Sequence, residues 1–332
     1  MQACAARQAA GDRQRTDDVL TCPLRVVKDS NRPPLLILGA PPRGGNHLLR
    51  GLLDGHPELL LPPDEDYAIR HLARSAPLRW LGALTSPAGA PAFYRRLQKG
   101  GHLERVNSDL AAESFGTAGS LDLECYYDYI RSHHRRGIGA DELVRNHVEG
   151  MSRALGFDGS DARMRVYFCA LQPSNRDLIR VGRLLARSYS VRGVFVVRDP
   201  RAHLSSKLVR NPGLALGRYC RRQNRYVEEI DAFRRECGPA VSVRFEELVL
   251  DTEAAIRRVC EVAGIAFSED LLDYTQGGKP SRSNSSFAAR DGIDSAAVTR
   301  YREMLPAEIS DYVERHCRVE LLWRGSLENA SG

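Results

Sequence analysis

Short apolar runs alternate with segments of helical spacing along this chain. The apolar runs fall at residues 35–38, 166–168, 194–197 and 241–245. Leucine, isoleucine and valine at helical spacing follow at residues 47–53, 176–186 and 252–262. Short apolar strands that alternate with helices predict a central parallel sheet with helices on both faces. The predicted fold class is therefore α/β, with three layers.

The remaining segments divide the chain into a leader, one domain and a tail. Residues 1–32 are polar and lack periodicity, which predicts a flexible leader. We expect a single domain over residues 33–320 and a tail at 321–332. Two amphipathic helices are predicted to close the domain, at 294–305 and 309–317.

Residues 68–161 are helical in pattern but irregular, with glycine-rich breaks. Ligands of parallel α/β sheets bind outside the carboxyl ends of the strands, and insertions there commonly build the pocket. We interpret this stretch as a helical insertion on the substrate side. A helical cap that only packs on the sheet explains the same pattern equally well.

Composition limits the function classes. No run approaches the roughly 18 apolar residues of a membrane span, and the first thirty residues lack the apolar core of a secretory signal. We therefore expect a cytoplasmic protein. The eight cysteines form no CxxC pair, and no histidines cluster at zinc-ligand spacing, so we expect reduced thiols and no metal site.

The net charge of +6 is mild for 332 residues and forms no dense basic stripe, which argues against a nucleic-acid partner. Only four of the 48 basic residues are lysine. A coding bias explains the excess of arginine, and so does a need for planar, permanently charged groups that bind anions.

The segment 39–47, GAPPRGGNH, lies between the first predicted strand and the first predicted helix. Backbone N–H groups and the helix dipole favour an anion at such a junction. Arg43 is placed to reach the terminal anionic group, while Gly44 and Gly45 let the backbone approach it. The segment is not a Walker A loop, because no Lys-Ser or Lys-Thr pair follows the last glycine.

Residues 42–47 resemble the phosphosulfate loop of sulfotransferases that use 3′-phosphoadenosine 5′-phosphosulfate (PAPS), whose pattern is Pro-Lys/Arg-Ser-Gly-Thr-Thr. Residues 50–58 resemble the "LxxHP" helix end of the bacterial and tyrosyl-protein branches. Gly44 replaces the serine, and Asn46 and His47 replace the two threonines. The resemblance implies that an amide and an imidazole bind phosphate where relatives use hydroxyls.

A second segment strengthens the resemblance. Arg198 ends the apolar run 194–197, and Ser206 follows eight positions later. In sulfotransferases such a pair binds the 3′-phosphate of PAPS. Taken alone, the segment also fits a strand end with Asp199 as helix cap and Pro200 at the first helical position. Both segments together imply a three-layer P-loop-type fold.

The resemblance continues towards the C-terminus. Residues 245–249 resemble the family's "YEDL" segment, and residues 277–287 resemble its "GK...NSSF" loop. The second match implies that Lys279 and Arg282 contact the nucleotide. The charged "DKSP" segment of many relatives is absent, since residues 170–174 carry no charge.

The resemblance implies in-line transfer of a sulfuryl group from PAPS to a hydroxyl of a sugar, alcohol, phenol or peptide tyrosine, without a metal. Arg43 and the loop N–H groups are expected to stabilise the leaving oxygen, with Lys207 or Lys279 as assistants.

For the general base we favour Glu65, followed by Asp64 and His47. Adjacent acids at 64–66 are expected to raise one another's pKa towards a useful value. A solvated acidic turn is the alternative interpretation of these residues.

Two other function classes stay open. A P-loop kinase shares the strand–loop–helix start but needs a Walker lysine and an acidic magnesium ligand. A non-catalytic binder of nucleotides or polyanions would keep the arginines and Ser206 without a base. The sequence indicates neither the acceptor nor the oligomeric state.

Overall fold

The structure is a computed structural model that describes residues 32–74, 89–98, 121–135, 137–157, 160–280 and 292–318. Its centre is a five-stranded sheet in the order β2-β3-β1-β4-β5, with every neighbouring pair parallel. The strands are β1 Pro34–Ala40, β2 Leu59–Leu60, β3 Met164–Ala170, β4 Ser190–Val197 and β5 Ala240–Arg244. A two-stranded hairpin of β6 Thr275–Gln276 and β7 Lys279–Pro280 lies apart from this sheet.

Alternate residues of the central strand β1 enter two separate cores. Leu35 and Ile37 pack in one apolar cluster, whereas Leu36 and Leu38 pack in the other. Successive strand side chains point to opposite faces, so a strand buried on both sides reads as an unbroken apolar run. Hence the sequence 35–38 is entirely apolar.

Helices cover both faces of the sheet. On the face of Leu36, the helices are α1 Asn46–Leu52, α9 Phe245–Leu250 and α10 Thr252–Ala263. On the face of Leu35, they are α2 Ala68–Arg74, α3 Ala90–Leu97, α4 Leu123–His133, α5 Ala140–Ala154, α6 Asp177–Leu185 and α8 Leu216–Glu236. A third cluster joins α7 Pro200–Leu208 and α8 to the last helices, α11 Tyr301–Met304 and α12 Ala307–His316.

This architecture confirms the predicted three-layer α/β fold with a parallel sheet. The predicted strands match β1, β3, β4 and β5, and the helices expected at 176–186 and 252–262 match α6 and α10. The 21-residue helix α8 was not predicted, although its buried positions follow helical spacing.

The continuous helix expected at 294–305 is wrong. That segment forms a short 3₁₀ helix, Ser295–Ala297, then turns and the four-residue α11. The carbonyl of Ala297 accepts a hydrogen bond from the Arg198 side chain (2.8 Å), so it does not join a helical ladder.

The predicted insertion contains α2 to α5 within the described residues. That these helices shape an acceptor site stays a prediction. None of the helices in the described ranges is long and apolar enough to cross a membrane.

A buried carboxyl lies between two helices on the Leu35 face. Glu229 of α8 accepts a hydrogen bond from the backbone N–H of Leu178 (3.0 Å) in the first turn of α6. Burial raises the pKa of Glu229 to about 8, against the opposing effect of the bonds from Ile179 and Leu178. The native state therefore holds this proton more tightly than the unfolded chain, whose carboxyl has a pKa of about 4.5.

We expect the wild type to lose stability as the pH rises from about 5 to 8, and Glu229→Gln to abolish this loss. In that window the wild type loses stability as the pH rises, because the native state retains a proton that the unfolded state has released. Urea unfolding at pH 6 and pH 8.5 measures this, and the advantage of Glu229→Gln over wild type should grow at the higher pH.

The neighbouring exposed residue supplies the control. Glu228→Gln should leave the pH dependence of wild type unchanged, because Glu228 faces solvent. Parallel pH profiles for Glu229→Gln and wild type would contradict the interpretation.

Candidate functional site

A cavity of about 380 Å³ opens at the carboxyl ends of the strands. It brings together residues from the two predicted anion segments, 39–47 and 198–206, and from the acidic turn at 64–66. The predicted site residues that line it are Arg43, Gly45, Asn46, His47, Glu65, Arg198 and Ser206. Other lining residues include Tyr67, Arg70, Gln172, Phe245, Tyr274 and Arg300.

The loop between β1 and α1 begins with a tight turn. The N–H of Gly44 donates to the carbonyl of Pro41 (2.8 Å), and Arg43 has φ 74°, as the third residue of a type II turn requires. Gly45 then adopts φ 111° as the residue before α1. A left-handed arginine is uncommon and costs about 1 kcal/mol or more, so the surroundings must hold it in place.

Both glycines are required by the protein's own packing. A Cβ on Gly45 would lie 2.7 Å from the Phe245 ring and 3.2 Å from Val196. A Cβ on Gly44 would lie 2.8 Å from the carbonyl oxygen of Pro41. The sequence prediction explained these glycines by the approach of an anion, whereas the structure adds a contact with the next strand and α9.

Two side chains from the second segment bind consecutive carbonyls of the loop. His203 contacts the carbonyl oxygen of Pro42 through Nε2 (3.0 Å), and Arg198 donates from Nη1 to the carbonyl of Arg43 (3.3 Å). The predicted cap is also present, since the Asp199 carboxylate accepts from the N–H of Arg201 (2.8 Å) and Pro200 opens α7. The two anion segments thus form one structural unit.

His203 is a neutral donor in this position. Because a carbonyl can only accept, Nε2 carries the proton, and Nδ1 accepts from the amide of Gln223 (2.8 Å). Burial lowers the pKa of His203 well below its usual value, and the positive charge of Lys207 lowers it further. His203 therefore fixes the loop without carrying charge.

Arg198 is half-buried and directly follows β4. Its guanidinium lies 4.2 Å from the centre of the Phe245 ring, and Nη2 donates to Ala297. Burial lowers the pKa of Arg198 to about 10, partly offset by the carboxylate of Glu246. Within the described residues the buried Nε has no hydrogen-bond partner. The side chain is thus charged at neutral pH and incompletely satisfied, a suitable environment for an anion.

Further cations surround the loop. Burial lowers the pKa of Arg43, and the nearby charge of Arg210 lowers it further. The pKa of Lys207 is lowered by burial and by the charges of Arg222 and Arg43. Clustered cations with depressed pKa values indicate a positive potential that a bound anion would relieve.

A carboxylate faces this positive region across the cavity. Glu65 Oε1 lies 3.9 Å from Nε2 of His47, and Glu65 Oε2 accepts a hydrogen bond from the hydroxyl of Tyr67 (2.6 Å). The Glu65 side chain is 11 % exposed. The predicted anion loop, residues 39–47, and a partly desolvated carboxylate therefore share one cavity.

His47 lies beside this carboxylate in the first turn of α1. Its ring meets Phe168 edge to face at 5.5 Å between centroids. Burial lowers the pKa of His47, although Glu65 and Asp64 oppose the shift. A neutral imidazole at pH 7 can donate or accept one hydrogen bond beside the loop.

The three adjacent acids point in different directions. Asp64 does not line the cavity, and its Oδ1 accepts from the N–H of Glu65 (2.7 Å). Asp66 is buried on the opposite side. Burial acts to raise its pKa, but the neighbouring His147 lowers it overall. The expectation that these acids raise one another's pKa is therefore wrong for Asp66, because its partner is an imidazole.

Asn46 binds the ends of two strands. Its side-chain nitrogen donates to the carbonyls of Ala40 (3.4 Å) and Cys169 (3.3 Å), so the amide hydrogens hold α1 against the sheet. This arrangement differs from the expected donation by the Asn46 side chain to a phosphate.

Gly44 and Lys279 lie outside the cavity lining. Lys279 is exposed on the β6–β7 hairpin, which Asp54 anchors by accepting from Thr275 (3.1 Å) and from the N–H of Gly278 (2.9 Å). Arg282 falls outside the described residues. Across the ranges that are described, no three His, Cys, Asp or Glu residues cluster in a way that could hold a metal.

The profile of the Sulfotransferase family matches residues 33–269. This range includes β1 to β5 and both anion segments. The chain belongs to the Sulfotransferase family. The resemblance at 277–287 lies beyond the matched range.

Several known proteins are similar to this chain. The chain is similar to a protein-tyrosine sulfotransferase of Drosophila melanogaster (23 % identity, 82 % of this chain and 46 % of the relative) and to protein-tyrosine sulfotransferase 2 of Gallus gallus (24 %, 74 % and 55 %). It spans about half the length of these relatives. The sulfotransferase domain of the Synechococcus PCC 7002 olefin synthase aligns with a TM-score of 0.49 at 20 % identity, over 86 % of this chain and 96 % of the domain.

Several residues of the site were not predicted. His203 and Glu246 both lie within segments that the sequence resemblance covers, but they act by binding backbone: Glu246 accepts from the N–H of Asp199 (2.9 Å). Tyr67 directly follows the acidic residues 64–66, and an aromatic side chain at that place was a signal that could have identified it as a site residue.

Gly45→Ala should destabilise this protein more than Gly55→Ala does. Both glycines have positive φ, 111° and 77°, so alanine is strained at each position by about 1 kcal/mol or more, and more strongly at 111°, which lies further from the left-handed region. Only at Gly45 does the new methyl group overlap Phe245, since no atom lies within 4 Å of a Cβ at Gly55. We expect an extra loss of about 1–3 kcal/mol in urea unfolding. Equal losses for the two variants would contradict the packing assigned to the loop.

Proposed function

We propose that this protein transfers a sulfuryl group from PAPS to a hydroxyl group of an acceptor. One observation carries the proposal: a single cavity contains the anion loop, the Arg198–Ser206 pair and the carboxylate of Glu65. Family membership favours sulfuryl over phosphoryl transfer. A carboxylate that could act as general base, that of Glu65, favours a transferase over a nucleotide binder without activity.

The donor half of the cavity fits a nucleotide with two anionic ends. Arg198 is half-buried just after β4, Ser206 is buried on α7, and both line the cavity. We assign them to the 3′-phosphate. The loop around Arg43 would then hold the phosphosulfate, and the cationic surroundings described above would be neutralised by it.

The reaction forms one bond and breaks another. The acceptor oxygen bonds to sulfur as the bond from sulfur to the bridging oxygen breaks, and that oxygen leaves on adenosine 3′,5′-bisphosphate. Arg43 stabilises the charge that grows on the leaving phosphate. The acceptor proton passes to Glu65, whose carboxylate the Tyr67 hydroxyl orients.

His47 is the alternative base. Its lowered pKa keeps the imidazole neutral at pH 7, and it lies next to Glu65. Asp64 is the weaker candidate, because its carboxylate is turned to the backbone of Glu65. Neither role requires a metal.

The acceptor class stays open among sugars, alcohols, phenols and peptide tyrosines. The names of the curated relatives specify protein tyrosine as their acceptor. Labelled PAPS offered with one acceptor of each class would identify the preferred hydroxyl. We also propose a cytoplasmic location, to be tested by imaging of the tagged protein.

Arg198→Ala should erase the preference for a 3′-phosphate. Wild type should bind adenosine 3′,5′-bisphosphate far more tightly than AMP in calorimetry. The variant should lose about 30- to 900-fold in affinity for the bisphosphate, which corresponds to about 2–4 kcal/mol for a charged hydrogen-bond partner. AMP should lose less, because its phosphate meets only the loop that Arg198 supports.

Arg192→Ala is the matched control, because Arg192 also lies on β4 and donates to backbone carbonyls, those of Val262 and Ala263. It does not line the cavity and should leave the preference intact. Equal affinity of the wild type for AMP and the bisphosphate would contradict the assignment of Arg198 and Ser206 to the 3′-phosphate.

Glu65→Gln should abolish most turnover and leave nucleotide affinity unchanged. Glutamine retains the size and can still accept from Tyr67, but it cannot take the acceptor proton. Turnover on an aliphatic hydroxyl should fall by roughly 10²–10⁴, and phenols should lose less because they ionise more readily.

Substitutions of the two other candidate bases, Asp64 and His47, distinguish the three assignments. If Glu65→Gln is near wild type while Asp64→Asn is inactive, Asp64 is the base. If both carboxyl variants are active and His47→Asn is inactive, the imidazole is the base.

A further inference from the structure

The turn that carries Glu65 has two faces. Glu65 and Tyr67 line the cavity, whereas Asp66 between them is only 6 % exposed and does not line it. The two cavity-facing side chains are joined by the hydrogen bond from the Tyr67 hydroxyl to Glu65. The position of Glu65 therefore depends on how residue 66 is held.

Five hydrogen bonds hold Asp66. Its backbone N–H donates to the carbonyl of Phe168 (2.7 Å), and its carbonyl accepts from the hydroxyl of Tyr167 (3.0 Å). Its carboxylate accepts from Nε2 of His147 (2.7 Å), from the N–H of Ala68 (2.8 Å) and from Gln98 (3.2 Å). The turn is thus fixed between β3 and the helices of the insertion.

Among the residues of the insertion that bind Asp66, His147 makes the shortest hydrogen bond. It is fully buried on α5, and its Nδ1 lies within hydrogen-bond distance of the hydroxyl of Tyr126 on α4 (2.8 Å). The ring of Tyr94 stacks parallel to it at 5.9 Å. Because a carboxylate can only accept, Nε2 carries a proton and donates it to the Asp66 carboxylate in a charge-assisted hydrogen bond.

This contact also governs the ionisation of Asp66. Burial acts to raise the pKa of the carboxyl, but the attraction and the hydrogen bond of His147 overcome it, so the carboxylate stays charged. A buried carboxylate that lost this donor would be destabilised and would move towards another partner or take up a proton. Either response displaces the turn that carries Glu65.

We propose that His147 is a positioning residue, which sets the place of the Glu65 carboxylate through Asp66 without touching a substrate. The inference rests on the proposed role of Glu65 as general base. A shift of about 1 Å in a reacting group can cost about 10²-fold in rate. The insertion helix α5 therefore contributes to turnover through one hydrogen bond.

The test compares two substitutions of similar size. His147→Gln retains an N–H donor near the position of Nε2, while His147→Met does not. We expect His147→Met to lower kcat by about 10- to 100-fold, with unchanged affinity for adenosine 3′,5′-bisphosphate in calorimetry. His147→Gln should retain turnover within about threefold of wild type.

Tyr94→Phe separates positioning from a loss of stability. It removes the buried hydrogen bond from the Tyr94 hydroxyl to the carbonyl of Leu143 (2.9 Å), keeps the ring on His147 and leaves Asp66 untouched. It should lower the unfolding midpoint but not kcat. A decrease of kcat in Tyr94→Phe equal to that in His147→Met would overturn the proposal.

A double substitution links the effect to Glu65. In the Glu65→Gln background, His147→Met should change the remaining turnover by less than about twofold, because the group it positions is already inactive. A further 10- to 100-fold loss would overturn the proposal. If Glu65→Gln alone keeps wild-type turnover, the assignment of the base fails instead.

A crystal structure of a variant tests the positioning without any acceptor. In His147→Met the Glu65 carboxylate should move by about 1 Å or more relative to His47 and lose its bond to Tyr67. An unmoved carboxylate would overturn the proposal, whatever the turnover. If His147→Met does not fold, Asp66→Asn, which keeps the size of the side chain, should show the same displacement and the same loss of kcat.

Discussion

The anion loop depends on two hydrogen bonds to its backbone. Its turn places Arg43 in the left-handed region, a conformation that an arginine does not adopt without support. His203 and Arg198 supply that support by binding the carbonyls of Pro42 and Arg43. Because both donors belong to the segment 198–206, the loop and the proposed 3′-phosphate site cannot form independently.

Burial makes this arrangement electrostatically demanding. The guanidinium groups of Arg43 and Arg198 both have lowered pKa values, since protein rather than water surrounds them. A neutral His203 beside them adds no further charge, which explains why an imidazole suits that position better than a lysine. An anion that enters the cavity gains from cations that are already desolvated and oriented.

The sequence predicted the elements whose signals are local. Unbroken apolar runs identified β1 and β4, and glycines between a strand and a helix identified the loop. The helix expected at 294–305 is interrupted after Ala297, whose carbonyl accepts from Arg198, 99 positions earlier, and no local periodicity records such a contact. His147 was unpredictable for the same reason, since its partner lies 81 positions earlier in the chain.

The same distinction explains why the donor is easier to assign than the acceptor. Donor contacts come from strand ends and from the residues immediately after them, so short motifs preserve their order and spacing. Glu65 instead lies where the sheet meets the insertion, and its turn is fixed by contacts from α3, α5 and β3. The proposed role of Glu65 as base would therefore tie the chemical step to the packing of the insertion helices. Changes in those helices can then alter the acceptor and the rate together while the donor site stays constant.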